Sequence, residues 1–327
     1  MRCILLTASL IIVMLALLSG GPAVQGQNPK DQITDPEKAG PDFLVQGEYE
    51  GTVAGKDKLA AQVIAKGNGK FTGLFLPGGL PGAGWDGKTK IKLDAKTEDG
   101  KTTVTGTVKT SDGKSATWTG TVADKKLTGK TAEGQEFALT HVVRKSPTLG
   151  AKPPEGAIVL FDGTNADKWA GGKLVEGNLL HMGVNSKDKF GDIKLLHVEF
   201  RCPYQPFAGG QGRGNSGVYV NGQEVQVLDS FGLDANNGDC AALYGFRKPD
   251  INMSFPPLSW QTYDIEYRLG KTEGDKKIGP KITVLHNGVK VHDNIEFKDF
   301  KDKPGILHLQ NHGNPVYYKN IWLVELK

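Results

Sequence analysis

A two-residue period, broken repeatedly by tight-turn signals, dominates the chain and leaves little room for anything but sheet. Thr103-Val104-Thr105-Gly106-Thr107-Val108 and Thr117-Trp118-Thr119-Gly120-Thr121-Val122 alternate threonine with apolar or small residues. Successive side chains of an extended chain point to opposite faces, so this spacing builds strands with two unlike faces. Asp99-Gly100, Asp112-Gly113, Asn221-Gly222 and Asn287-Gly288 separate such runs. Hairpin turns need positive φ at their centre, which Asn, Asp and Gly tolerate. Between Gln46 and Arg144 no stretch carries a helical period, so an all-β meander is expected.

The ends and the proline-rich stretches divide the chain. Arg2 precedes an apolar run from Ile4 to Leu18, and small or helix-breaking residues follow to Gly26. This layout is that of a secretory leader over residues 1–26, and the run is short of the roughly 20 apolar residues of a membrane span. The mature protein is therefore expected to be exported, periplasmic or extracellular, with no stable membrane span. Residues 27–43, rich in Pro, Asp, Lys and Gly, read as a linker. Residues 44–145 read as a smaller β-rich domain, 146–156 with Pro147, Pro153 and Pro154 as a second linker, and 157–327 as a larger β domain. Many strands and no helices over about 170 residues suit a two-sheet jelly-roll sandwich. The net charge is only +4 and the lysines are scattered, which argues against a nucleic-acid surface. Past the leader only Cys202 and Cys240 remain; they form one disulfide or two buried thiols.

The hairpin from Gly212 to Gly232 is unusually polar, carrying Arg213, Asn215, Glu224, Gln226 and Asp229. Alternation turns Val225 and Val227 inward and Glu224 and Gln226 outward. It turns Leu307 and Leu309 inward and His308, Gln310 and His312 outward, and it places His197, Glu199 and Arg201 opposite Val198 and Phe200. Tyr219 stands opposite Val218 and Val220. Outward acids, amides and imidazoles, with Tyr219, Tyr263 and Trp260 as aromatic surfaces, are what a sugar-binding face needs. Glu224, Gln226 and His312 together mark that site. Glu224 and Asp229 are five positions apart, on opposite faces of a flat strand, so they are not the carboxylate pair of ordinary glycoside hydrolysis. Asp229 orients a neighbour, helps to bind a cation, or caps the turn at Ser230-Phe231-Gly232.

A set of ordered motifs adds to this. Leu160-Phe161-Asp162-Gly163 with Trp169, Gly212 to Tyr219, Glu224 to Ser230, Ala242-Leu243-Tyr244-Gly245, Pro256 to Tyr263 and His312-Gly313-Asn314-Pro315-Val316 run through the C-terminal half. In these the region from Ala157 to Lys327 resembles the 3-keto-disaccharide hydrolase domain, also described as a 3-keto-glucoside lyase/hydratase domain. The resemblance implies a concanavalin A-like jelly roll acting on an oligosaccharide or glycoside. Asn311 departs from it, standing where the family motif carries an acid. A cysteine that relatives carry near Ser254 is replaced, and Cys202 is the remaining partner that Cys240 could have.

The implied chemistry needs one base rather than two carboxylates. A ketone at C3 of the sugar acidifies the C2 proton; its removal gives an enolate that expels the oxygen on C1, and water adds afterwards. Glu224 or His312 is expected as the base. Arg213, or a divalent cation held by Glu224 and Asp229, is expected to stabilise the enolate oxygen. Asn215, Gln226, Tyr244 and Gln261 are expected to bind hydroxyls. The alternatives are a non-catalytic carbohydrate-binding module on the same fold and a structural surface protein. Residues 44–145 carry no catalytic constellation, and their single histidine, His141, reads as a solvated strand residue.

Overall fold

In the computed structural model the described residues are 30–109 and 113–326, and nearly every element is a strand. The leader of residues 1–26 lies outside the described residues, as do residues 27–29, Asp112 of the expected Asp112-Gly113 turn, and Lys327. Among the described residues no helix is long and apolar enough to cross a membrane.

The first domain is a closed barrel of eight strands in sequence order, from Gly47–Val53 to Glu136–Val142, with the first pairing antiparallel to the last. The threonine-rich strands build it as their period dictates. On Lys101–Lys109, Thr102, Val104 and Gly106 are buried while Thr103, Thr105 and Thr107 are exposed. An eight-stranded barrel is just wide enough to be filled by its own side chains. Phe75, Trp118 and Phe137 do so here, with ring centroids 5.2 to 5.8 Å apart. The filling is tight enough that a Cβ on Gly129 would come within 2.6 Å of Phe137.

The second domain is a sandwich. One sheet has five strands in the order Trp169–Ala170, Val184–Ser186, Leu307–Leu309, Ser216–Val220 and Gln223–Val227. The other has eight, with Ile193–Arg201 between Tyr317–Glu325 and Gln261–Arg268 near its centre. Val218, Val225 and Leu309 of the first sheet meet Phe200, Tyr263 and Ile265 of the second in one core. Each large apolar side chain so buried contributes about 1.5–3 kcal/mol.

The two domains are fused rather than strung together. Tyr204 and Leu258 belong to the sandwich in sequence but pack into the barrel's core cluster. Residues from Ile33 onward, expected as a solvated linker, fold into the joint. Ile33 exchanges backbone hydrogen bonds with Tyr204 (3.1 and 2.8 Å), and a short helix, Gly40–Val45, lays Phe43 edge-on against the Tyr204 ring. One and a half turns of helix are too few to show a period in sequence.

The linker after the barrel is docked as well. His197 and Glu199, on the outer face of the eight-stranded sheet, are fully buried beneath it. His197 bonds Asp264 through Nδ1 (2.7 Å) and Glu199 through Nε2 (3.3 Å), and Trp322 stacks on its ring. The linker closes over this group. Thr148 donates to Asp264 (2.7 Å) and the Gly150 N–H to Glu199 (2.5 Å), while Lys319 lies 3.5 Å from the same carboxylate. Burial alone would drive His197 down, but its bonds to Asp264 and Glu199 outweigh that and hold the imidazole above its ordinary value. Burial likewise opposes ionisation of Glu199, but His197, Asn320 and the Gly150 N–H hold its carboxyl below the usual range.

The consequences have definite signs. The His197 contribution is fully present below the unfolded imidazole value of about 6.5 and is lost as pH rises through the raised folded value. The Glu199 contribution is present above about 4.3 and is lost as pH falls through the depressed value. Thermal melts across pH should therefore show stability falling on the alkaline side, and this limb should vanish in His197→Ala. At neutral pH that variant leaves buried carboxylates without their cation and should cost about 3–5 kcal/mol.

Candidate active site

The five-stranded sheet turns one face to the core and leaves the other for chemistry. Across this outer face, Tyr219 pairs in register with Glu224 on one neighbouring strand and with His308 on the other, and Asn185 stands beyond His308. Strands are about 4.8 Å apart, so these side chains form a continuous row. The Tyr219 and His308 rings lie 5.2 Å apart, and His308 Nδ1 donates to Asn185 Oδ1 at 2.8 Å. In the next register position Gln226 faces Gly217, whose carbonyl accepts the Gln310 N–H at 2.9 Å.

Gly217 lies beneath the group of greatest interest. A Cβ there would collide with the Glu224 carboxyl and would come within 3.0 Å of the Tyr219 ring. The missing side chain is the space into which Glu224 folds. The Tyr219 hydroxyl stands close enough to the Glu224 carboxyl to favour its charged form, and accepts from Gln310 Nε2 at 3.1 Å. Burial pushes the Glu224 carboxyl above the ordinary range, opposed by the Tyr219 hydroxyl and by His312 nearby. Burial first, and then the neighbouring Glu224, push the Tyr219 hydroxyl well up, so it stays a donor. A half-desolvated carboxylate with a neutral donor as its partner is suited to taking a proton.

Carboxamides surround this centre. Gln211 Oε1 accepts from both Asn215 Nδ2 (3.0 Å) and Gln226 Nε2 (3.1 Å), and Gln211 Nε2 donates to the Gly238 carbonyl (2.8 Å). With their amide groups committed inside the protein, Asn215, Gln226 and Gln310 each keep a buried carbonyl oxygen without a partner. An unpaired buried acceptor costs about 1–3 kcal/mol, which a ligand hydroxyl can return. The final segment is fastened to this group, since Asn314 Oδ1 accepts the Asn215 N–H at 2.9 Å. That bond holds exposed His312 near Glu224. Tyr244, 49% exposed, flanks the edge strand, its N–H donating to the Glu224 carbonyl at 3.2 Å. Asn311 accepts the Gly313 N–H (2.9 Å) and so shapes the turn that carries His312.

Other expected members lie elsewhere. Arg213 is buried with its Nε donating to Asp229 at 2.6 Å, and Asp229 also accepts the Phe231 N–H at 3.3 Å. Arg213 is thus committed to a buried ion pair rather than to an enolate oxygen. Asp229 combines the expected roles of partner and turn cap, with no carboxylate oxygen left for a cation. Among the described residues no group of three or more His, Cys, Asp or Glu side chains could hold a metal ion, so the expected Glu224/Asp229 cation site does not fit. Gln261 is 1% exposed, its oxygen shared by the Phe255 N–H, His286 Nε2 and Asn287 Nδ2. It has no free acceptor for a sugar. Tyr263 belongs to the core between the sheets, its hydroxyl bonded to the Gln226 carbonyl (2.5 Å). Trp260 lies at the domain joint beneath Lys319. Cys202 and Cys240 are buried free thiols.

The sequence marks Tyr219 as an aromatic surface of this face, whereas it singles out neither Gln310 nor Gln211 as a ligand. Alternation places Gln310 outward. Gln211 precedes the strand, in the glycine-rich loop, where no periodicity applies.

The sequence model of a domain family described as 3-keto-alpha-glucoside-1,2-lyase-like domain matches residues 156–324. No curated protein matches the chain. Among solved structures, a candidate glycosyl hydrolase from Parabacteroides distasonis is 30% identical, covering 53% of this chain and 85% of its own, with a TM-score of 0.48. A second candidate glycosyl hydrolase from the same organism is 20% identical, covering 53% and 95%, with a TM-score of 0.41.

The Gly217 geometry yields a discriminating substitution. In Gly217→Ala the new methyl meets the far end of a side chain rather than backbone, so Glu224 should swing away while the sheet persists. Turnover should fall about 100-fold, the scale of an ångström's misplacement at a reacting centre. The thermal midpoint should move by less than the roughly 2 °C that a 1 kcal/mol change gives at this size.

Proposed function

The chain belongs to the 3-keto-alpha-glucoside-1,2-lyase-like domain family, and from that membership we propose that it is an exported enzyme that cleaves 3-keto-glycosides by elimination followed by hydration. The family places it among carbohydrate-active enzymes. The finer reading rests on one observation: a single carboxylate, Glu224, raised by burial and held by a neutral tyrosine. Hydrolysis by direct displacement uses two carboxylates across one bond, whereas abstraction beside a ketone uses one.

In the proposed cycle the pyranose lies over Gly217 with its hydroxyls donating to the free oxygens of Asn215, Gln226 and Gln310. Glu224 takes the C2 proton, and the electron pair of the C2–H bond moves toward the C3 ketone to form the enolate. On becoming protonated, Glu224 no longer needs the Tyr219 hydroxyl as donor. That hydroxyl is freed to hydrogen-bond the enolate oxygen as charge develops there. The enolate collapses to a C1–C2 double bond, the C1–O bond breaks, and His312 supplies the proton to the departing oxygen. Water then adds its oxygen to C1 and a proton returns to C2, so the sum is hydrolysis. Tyr244 borders the face where the departing group leaves.

The test uses the mature chain and a 3-keto-glucoside in deuterium oxide. Deuterium at C2 of the released sugar is expected, and its absence would sink the elimination route. Glu224→Gln should lower kcat by about 10²–10⁴, the usual share of a positioned base. The acid limb of kcat/KM should lie above the ordinary carboxylate value of about 4.3, because the base works only when deprotonated and burial raises Glu224. A carboxyl raised on folding weakens the fold at neutral pH, so Glu224→Gln should melt no lower than the parent. Tight binding of the sugar with no turnover of any keto-glycoside would assign the face to a non-catalytic module.

A further inference from the structure

Away from the Glu224 face, the joint between barrel and sandwich encloses a cavity of about 390 Å³. Its walls are mainly apolar: Phe43 and Leu44 from the short helix, Val143 beyond the last barrel strand, Leu149 from the linker, and Pro257 and Trp260 from the sandwich. Leu44 and Val143 are 71% and 73% exposed, which leaves two large aliphatic groups in water at one mouth. Clefts of a few hundred Å³ with apolar walls and a few fixed polar groups, placed between domains, are where small molecules bind.

The polar groups of this cleft define the ligand. Gln46 lines it and is 3% exposed; its Oε1 accepts the Ala65 N–H at 3.0 Å, but its Nε2 has no partner. A buried amide donor left unpaired costs about 1–3 kcal/mol, so the site favours a ligand carrying an acceptor. Three cations line the cleft. Arg144 is consumed by Glu48 (2.6 and 2.7 Å) and by the Pro81 carbonyl (2.7 Å). Lys125 and Lys145 are exposed, and neither has an ion-pair partner among the described residues. A sugar would find one free amide where it needs many polar contacts. His141, expected as a solvated strand residue, also lines the cleft, with its ring edge-on to Tyr49.

We propose that this cleft binds a small amphiphilic anion, a single apolar body ending in a carboxylate or sulfonate. The body lies between Leu44, Val143 and Leu149 on one side and the proline–tryptophan wall on the other. The head accepts from Gln46 Nε2 or sits between Lys125 and Lys145.

The experiment titrates the mature chain with 8-anilinonaphthalene-1-sulfonate, follows its fluorescence, and displaces it with dodecanoate. Saturable one-to-one binding in the micromolar range is expected, with dodecan-1-ol at least tenfold weaker than dodecanoate as a competitor. The charge reversal Lys125→Glu/Lys145→Glu alters only exposed side chains and should weaken binding tenfold or more with the melting temperature unchanged. Val143→Glu, at the open mouth, should do the same. Glu224→Gln, on the other face, should bind the dye as the parent does. Unsaturable binding, equal competition by the alcohol, parental binding by the charge-reversed chain, or loss of binding in Glu224→Gln would each overturn the proposal. Retention on anionic vesicles without binding of the free amphiphile would overturn it as well.

Discussion

Every strand in this protein has two faces, and the physical question at each is what covers the second one. In the sandwich the inner faces share a core, as alternation demands. The outer faces then diverge. That of the eight-stranded sheet is sealed by the linker, so His197, Glu199 and Asp264 become a buried polar group whose every member needs a partner. That of the five-stranded sheet has no such cover over Tyr219, Glu224 and His308, which stay part-exposed. The same design rule thus gives a clamp on one side of the molecule and a reactive surface on the other.

The contrast between two acids of the same hairpin makes the distinction physical. Asp229 is buried against a guanidinium at 2.6 Å, the usual way to hold a carboxylate charged out of water. Glu224 is also desolvated, but its partner is a neutral hydroxyl, and the nearby imidazole of His312 sits in solvent. The first acid is fully satisfied and holds the Gly212–Asn215 loop in place. The second is left short of compensation, and so are the oxygens of Asn215, Gln226 and Gln310 around it. Unsatisfied groups gathered on one face cost the fold something, about 1–3 kcal/mol for each buried acceptor, and a ligand that pairs them can return that cost.

How much of this the sequence reveals follows from the same rule. Period two separates inward from outward along the strands, so the β architecture, the valine and leucine core positions and the outward pair Glu224 and Gln226 are legible, whereas His312 lies three residues beyond Leu307–Leu309, where no strand period applies. Gln261 is legible too, once its parity with core-facing Tyr263 is counted, although the amide alone suggests a ligand. What alternation cannot express is which outward face a second body will cover. Glu199 and Glu224 have the same grammar, and only the linker, docked from far away in sequence, buries the first. Loop partners such as Gln211 and the Arg213–Asp229 pair are equally hidden, because they depend on where a glycine-rich turn brings the chain back.

The barrel is best understood through what it touches. Its interior is packed by Phe75, Trp118 and Phe137, and its strand exteriors carry threonine and lysine. Its apolar contribution is made at one end, where Tyr204 and Leu258 of the sandwich complete its core and the Arg144 guanidinium lies over the Phe255 ring. A domain that shares core residues with its neighbour cannot swing freely about a linker. The surfaces flanking that joint are therefore fixed in relative position. A cleft between two bodies so fixed is a preformed cavity rather than a gap that opens and closes, and its cost in ordering is met when the protein folds, before anything binds.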